Sequence, residues 1–128
     1  MPQSAAIDHV QRSNDARILT KAVNRIADLW NLSNAKLGEI LGLSPATVSR
    51  LRNGLKELEP GSKEFELAQY LARLFRGLDA IVGSDDRAAR SWLMTENLDL
   101  KARPIDLIVK IKGLMTACDY VDAYRARV

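Results

Sequence analysis

From position 14 onward, apolar residues recur at three- and four-residue steps: Ile18, Leu19, Ala22, Val23, Ile26, Leu29 and Trp30. That spacing predicts a helix with one buried stripe. Ser13 or Asn14 can cap it, and Asp15 suits its first turn. Residues 1–13 carry no such stripe and are expected to form a loose leader. Two shorter runs follow within residues 34–53, with apolar positions at Leu37, Leu41, Leu43, Val48 and Leu51. They read as two short helices joined by a tight turn at Gly42-Leu43-Ser44, whose stripes meet across the turn. Ser33 caps the first of them. Gly38 keeps that helix thin where the second crosses it, and Gly42 can take the positive φ that ends a helix abruptly. Ser44 suits the N-cap of the second, with Pro45 at the first helical position and Gly54 as the stop.

Residues 55–61, ending in Pro60-Gly61, form a turn-rich connector and the expected boundary between two halves. Ser62 then caps a long run to Ile81, with Phe65, Leu67, Ala68, Leu71, Leu74, Phe75 and Leu78 on a wide apolar face. Such a face suits a central helix touching both halves. Gly83 and Ser84 should end this helix and cap the next. Asp85 and Asp86 fall in the next helix's first turn, where carboxylates complement the dipole. That helix carries Trp92, Leu93 and Leu98 towards residues 99–103, expected to be extended. Pro104 starts a further helix, Gly113 should break it, and a last helix runs through Tyr120, Val121 and Tyr124. With no alternating strand pattern of convincing length, the expected fold class is all-α. The expected organisation is a loose leader over residues 1–13, a helix-turn-helix bundle over residues 14–60, and a small helical domain over residues 61–128 that shares the long central helix.

Composition narrows the function classes. A chain of 128 residues that is 47% hydrophobic and 27% charged has the make-up of a folded protein with one core, or of two small helical units sharing one. A net charge of +3 permits a nucleic-acid partner without demanding one. The single Cys118 forms no intramolecular disulfide, no apolar run reaches the ~20 residues of a membrane span, and the start lacks the layout of a secretory signal. A cytoplasmic protein with no membrane partner is expected. Catalysis is poorly supported. His9 is the sole histidine, so no Ser-His or Cys-His pair has a good base, and metal-ligand spacings are absent. The glycines are dispersed as stops, and Asp85-Asp86 point about 100° apart on a helix. No enzyme, cofactor or metal is expected, and Cys118 reads as a small packed residue.

The helix-turn-helix carries the strongest functional signal. Its second helix leaves Ala46, Thr47, Ser49, Arg50 and Asn53 outward, a small, polar or basic set that suits entry into the DNA major groove. An inert helical hairpin is the bland alternative, but a solvated helix would more often mix acids among such arginines. Ala46, Thr47 and Arg50 are assigned to bases. Ser44, Ser49, Arg52 and Asn53 are assigned mostly to phosphates, with Lys36 and Lys56 flanking the backbone. One such helix seldom suffices for tight specific binding, so a homodimer reading half-sites on operator DNA is expected. Trp30 and Trp92 read first as core anchors, and Trp92 second as an interface anchor.

Several further residues fall into an ordered set: Ser91-Trp92-Leu93, then Asn97-Leu98, then Pro104-Ile105-Asp106-Leu107-Ile108, then Gly113, all following the helix-turn-helix and residues 54–83. This set resembles the Xre/MbcA/ParS-type antitoxins, which join an Xre-like helix-turn-helix to a C-terminal toxin-binding domain. The resemblance covers nearly the whole chain after residue 13. It implies a type II antitoxin whose partner is a RES-domain toxin that breaks down NAD⁺. The antitoxin would cover the toxin's active site with its C-terminal domain and repress its own operon through the N-terminal one. The candidate toxin contacts are Trp92, Tyr120, Tyr124, Arg125, Arg127 and the Val128 carboxylate, aromatic and arginine anchors of the kind that dominate interfaces. A cationic last turn complementing the helix dipole is the plain alternative for Arg125 and Arg127. An Xre-like transcriptional regulator without a toxin partner is the alternative function, and an adaptor with a vestigial helix-turn-helix a third.

Overall fold

One device sets four of the helix starts. Ser33, Ser44, Ser62 and Asp85 are each extended, and each side chain accepts the backbone N–H three residues on, at 3.0, 3.2, 3.1 and 3.1 Å. Each bond satisfies one of the N–H groups that a helix start leaves orphaned. In a computed structural model, the backbone of residues 2–127 and the side chains from residue 8 to 127 are described. The helices among them are α1 (Pro2–Leu29), α2 (Asn34–Leu41), α3 (Pro45–Arg52), α4 (Lys63–Ile81), α5 (Asp86–Met94), α6 (Pro104–Leu107) and α7 (Ile111–Ala126). The fold is all-α, and the described residues contain no strand beyond one isolated bridge between Asn97 and Ala102.

Four local expectations are corrected. Helix α1 begins at Pro2, so the leader expected to be loose is helical over its described residues. No proline or glycine interrupts residues 3–29, and a helix propagates from a packed segment far more cheaply than it nucleates. Arg12 on this stretch donates to the Pro60 carbonyl at 3.2 Å, which ties it to the connector. Asp85, not Ser84, caps α5, and Ser84 instead occupies a left-handed turn at φ 61°. Residues 99–101 are not extended, whereas Arg103 is. The Asn97 side chain accepts the N–H groups of Asp99 and Leu100 at 2.9 and 3.0 Å, closing a turn that the Asn97–Ala102 bridge completes. Gly113 lies inside the first turn of α7, and the chain leaves the helix earlier, at residues 108–110.

Leu37, Leu41, Val48, Leu51, Leu58, Leu71, Leu74, Leu78, Leu93, Ile108 and Leu114 lie in one continuous core that crosses the connector. Helix α4 is its axis, packing against α1, α2, α5 and α7, as the wide apolar face predicts. Trp30 is 4% exposed and packs on Phe75 with ring centroids 5.6 Å apart, a tilted pair that joins the end of α1 to the middle of α4. Gly77 lets α7 approach α4 closely, since a Cβ there would stand 2.5 Å from Val121 Cγ1. Cys118 is buried, and its Sγ donates to the Tyr70 carbonyl at 3.3 Å. Burial pushes this thiol up to about 11.

Candidate nucleic-acid interface and partner groove

The crossing of α2 and α3 follows from two glycines. Gly42 sits at φ 71°, and its N–H returns to the Gly38 carbonyl, ending α2 in the left-handed conformation glycine adopts at no steric cost. A Cβ on Gly38 would meet the Leu43 carbonyl oxygen at 2.7 Å and Val48 Cγ2 at 3.3 Å, so α3 sits on bare backbone. Val48 and Leu51 then point inward. Ala46, Arg50 and Asn53 are exposed, and Thr47 and Ser49 half-buried beside them. Short side-chain bonds order this edge: Ser44 Oγ donates to Thr47 Oγ1 at 3.0 Å, and Asn53 Nδ2 to Ser49 Oγ at 3.4 Å. The structure therefore brings Ser44, Ala46, Thr47, Ser49, Arg50 and Asn53 together on one outer edge. Among the described residues no ion pair engages Arg50.

Two of the expected DNA contacts lie elsewhere. Arg52 stands two residues past Arg50, about 200° around the helix. Its guanidinium donates to the Asn24 carbonyl at 2.5 Å and pairs with Asp28, both on α1. It pins α3 to α1 and does not stand on the outer edge with Arg50. Lys36 is separated from Gly38 by the same two-residue step, so it lies on the side of α2 away from α3, facing the C-terminal half. A further set of cations, not singled out from the sequence, lies on α1. Arg17 and Lys21 are exposed and share a helical stripe (i, i+4, i+7, i+11) with Asn24 and Asp28, and Arg25 is exposed in the next row. Asn24 Nδ2 donates to the Leu51 carbonyl at 3.0 Å, so this stripe runs past the C-terminal end of α3. The spacing of these cations was legible in the sequence, but which neighbour α1 would lie against was not.

On the C-terminal half, Trp92, Tyr120 and Tyr124 converge with Leu78, Ile81 and Val82 on an apolar groove of about 160 Å³ between α4, α5 and α7. Trp92 is only partly buried and Tyr124 is 47% exposed, so each ring packs in part and stays open to solvent in part. Tyr120 Oη donates to Asp99 Oδ2 at 2.8 Å, which fixes the ring and raises the phenol above its ordinary value. Arg125 and Arg127 are exposed at the end of α7, one turn past the groove. Val128 lies outside the described residues. Arg73 on α4 pairs with Asp122 on α7 and holds the groove's outer helix in register.

Comparison with protein-family models gives two matches. The antitoxin Xre-like helix-turn-helix domain matches residues 9–73, and the antitoxin Xre/MbcA/ParS C-terminal toxin-binding domain matches residues 77–127. The two matches meet inside α4. No curated protein matches the chain.

Proposed function

This chain belongs to the Xre/MbcA/ParS-type antitoxins, and from that premise we propose that it neutralises a RES-domain, NAD⁺-degrading toxin and represses its own operon as a homodimer. That it is an antitoxin with a DNA-binding and a toxin-binding domain follows from the family. In the finer reading, the groove edge and the end of α7 cover the toxin's active site, using Trp92, Tyr120, Tyr124, Arg125, Arg127 and Val128. The observation that supports it is the convergence of Trp92, Tyr120 and Tyr124 on one groove, away from the outer edge of α3. Aromatic anchors gathered in a desolvated pocket are what interface energetics favour. Expression alone of a RES-domain reading frame found beside the gene for this chain should deplete cellular NAD⁺ and arrest growth, and co-expression of this chain should restore both. Unchanged NAD⁺ depletion in cells where the two proteins are made together would refute the pairing.

On the DNA side, the operator is read by Ala46, Thr47 and Arg50, with Ser44, Ser49 and Asn53 at phosphates. Arg17, Lys21 and Arg25 extend the phosphate footprint along α1, while Arg52 acts by holding α3 in place. Arg50→Ala is expected to cost about 1–3 kcal/mol of operator affinity and to relax base preference. Arg17→Ala and Lys21→Ala should weaken all sequences alike, each reducing the salt slope by about one. Fluorescence anisotropy over a salt series separates these effects. Equal operator binding by wild type and Arg50→Ala would remove Arg50 from the base-reading set.

A further inference from the structure

The residue displaced from the DNA edge, Lys36, lies in a second pocket of about 220 Å³ where the two family domains meet. Trp30, Ser33 and Lys36 line it from the helix-turn-helix side, and Arg90, Arg103 and Asp106 from the C-terminal side. Arg90 Nη1 donates to the Leu29 carbonyl at 2.8 Å, which holds its guanidinium at the junction. Arg103 donates to both oxygens of Asp106 at 2.9 and 3.1 Å. Asp106 is held below the usual carboxylate range by Arg103 and, across the domain seam, by Lys36. Lys36 also pairs loosely with Glu39 at 3.7 Å, outside the pocket. Inside it, three cations therefore face one carboxylate.

Two further features point the same way. The pocket opens onto the N-terminal turn of α2, whose first N–H groups carry the positive end of the helix dipole. Trp30, 96% buried by its 4% exposure, forms part of the wall, and its indole Nε1–H finds no acceptor in the protein. A buried donor without an acceptor costs free energy, which marks this wall as the least satisfied part of the junction. The volume falls below the ~300–1,000 Å³ of pockets that take drug-sized molecules, which limits the ligand to an oxyanion or a small ester of one.

We propose that this junction pocket binds a phosphate group, either the free ion or a small phosphate monoester, through Lys36, Arg90 and Arg103. Because Lys36 comes from one domain and the two arginines from the other, occupancy ties the DNA-reading half to the toxin-binding half. The site does not depend on the identity of the toxin.

The test uses the full chain at fixed ionic strength, titrated in parallel with inorganic phosphate and with glycerol phosphate. In a ¹⁵N-labelled sample the two tryptophans give separate indole signals, and Trp92→Phe identifies that of Trp30. Saturable movement of the Trp30 signal, with that of Trp92 unmoved, is expected for at least one of the probes. Tighter binding of the ester identifies a metabolite ligand, and equal binding the ion itself. Lys36→Gln and Arg103→Gln should each weaken binding roughly tenfold or more, whereas Arg50→Gln should leave it unchanged. Absence of saturation with either probe overturns the proposal, as does binding that both pocket variants retain. The wild-type indole readout decides the matter even if a variant fails to fold.

Discussion

Gly113→Ala is expected to lower stability by about 3 kcal/mol, at the upper end of overpacking costs. Gly113 is absent from the residues at positive φ, so backbone strain is not the reason. Space is. An added Cβ would stand 2.0 Å from the Leu107 carbonyl oxygen and 2.7 Å from its carbon, both backbone atoms that no rotamer change can move. To admit the methyl group, α7 must lift from the end of α6, and Ile108 and Leu114, both fully buried beside this approach, must lift with it. Against a total stability on the order of 5–15 kcal/mol, that is a large fraction. Gly54→Ala supplies the contrast. It has open space around it but sits at φ 76°, so its cost is the left-handed penalty of about 1–2 kcal/mol. Urea unfolding of the two variants beside wild type measures the difference. A midpoint for Gly113→Ala no lower than that of Gly54→Ala would show that α6 and α7 do not meet as closely as described.

The same glycine shows where sequence reading stopped. A glycine near the start of a helical run reads as a break, because local rules see a poor helix former and a good turn former. Its actual use, to let a carbonyl from another element touch the helix backbone, is a tertiary fact with no local signature. Caps were legible for the opposite reason. Ser33, Ser44 and Ser62 bond to backbone three residues away, so the whole interaction lies inside a short window of sequence. The outer edge of α3 was legible because Gly42, Ser44 and Pro45 fix its start, and the inward Val48 and Leu51 then fix which residues point out. Arg52 and Lys36 were misplaced because a rotation of about 200° from a correctly placed neighbour carries them onto surfaces whose owners, Asp28 and the α5–α6 region, are distant in sequence. The groove lay between these cases. Trp92, Tyr120 and Tyr124 were identifiable as large aromatics in the C-terminal half, but their meeting around Leu78 required the packing of α4 against α7.

That packing also decides where the chain must be cut to test the toxin-binding half. Deletion of residues 124–128 is expected to abolish neutralisation while leaving the fold and operator binding intact. A cut after Tyr120 would be ambiguous. It would remove Val121, which is 1% exposed and fills the space left open by Gly77, together with Asp122, the partner of Arg73. The loss of toxin affinity would then be mixed with a cavity and a broken ion pair. A cut after Ala123 keeps both and removes Tyr124, Arg125 and Arg127, side chains exposed at the end of α7. An aromatic or arginine anchor at the centre of an interface costs about 2 kcal/mol or more when removed, roughly 30-fold in affinity for each such anchor. Loss of two or three together should weaken toxin binding beyond the loss of any one anchor. The thermal midpoint should shift by only a few degrees, because Tyr124, Arg125 and Arg127 are exposed and none belongs to the buried core cluster. Operator binding by anisotropy should match wild type, since α3 and the α1 stripe lie in the other half. If the shortened chain still restores growth beside the toxin, the anchor is elsewhere on the groove, and Trp92 becomes the residue to change next.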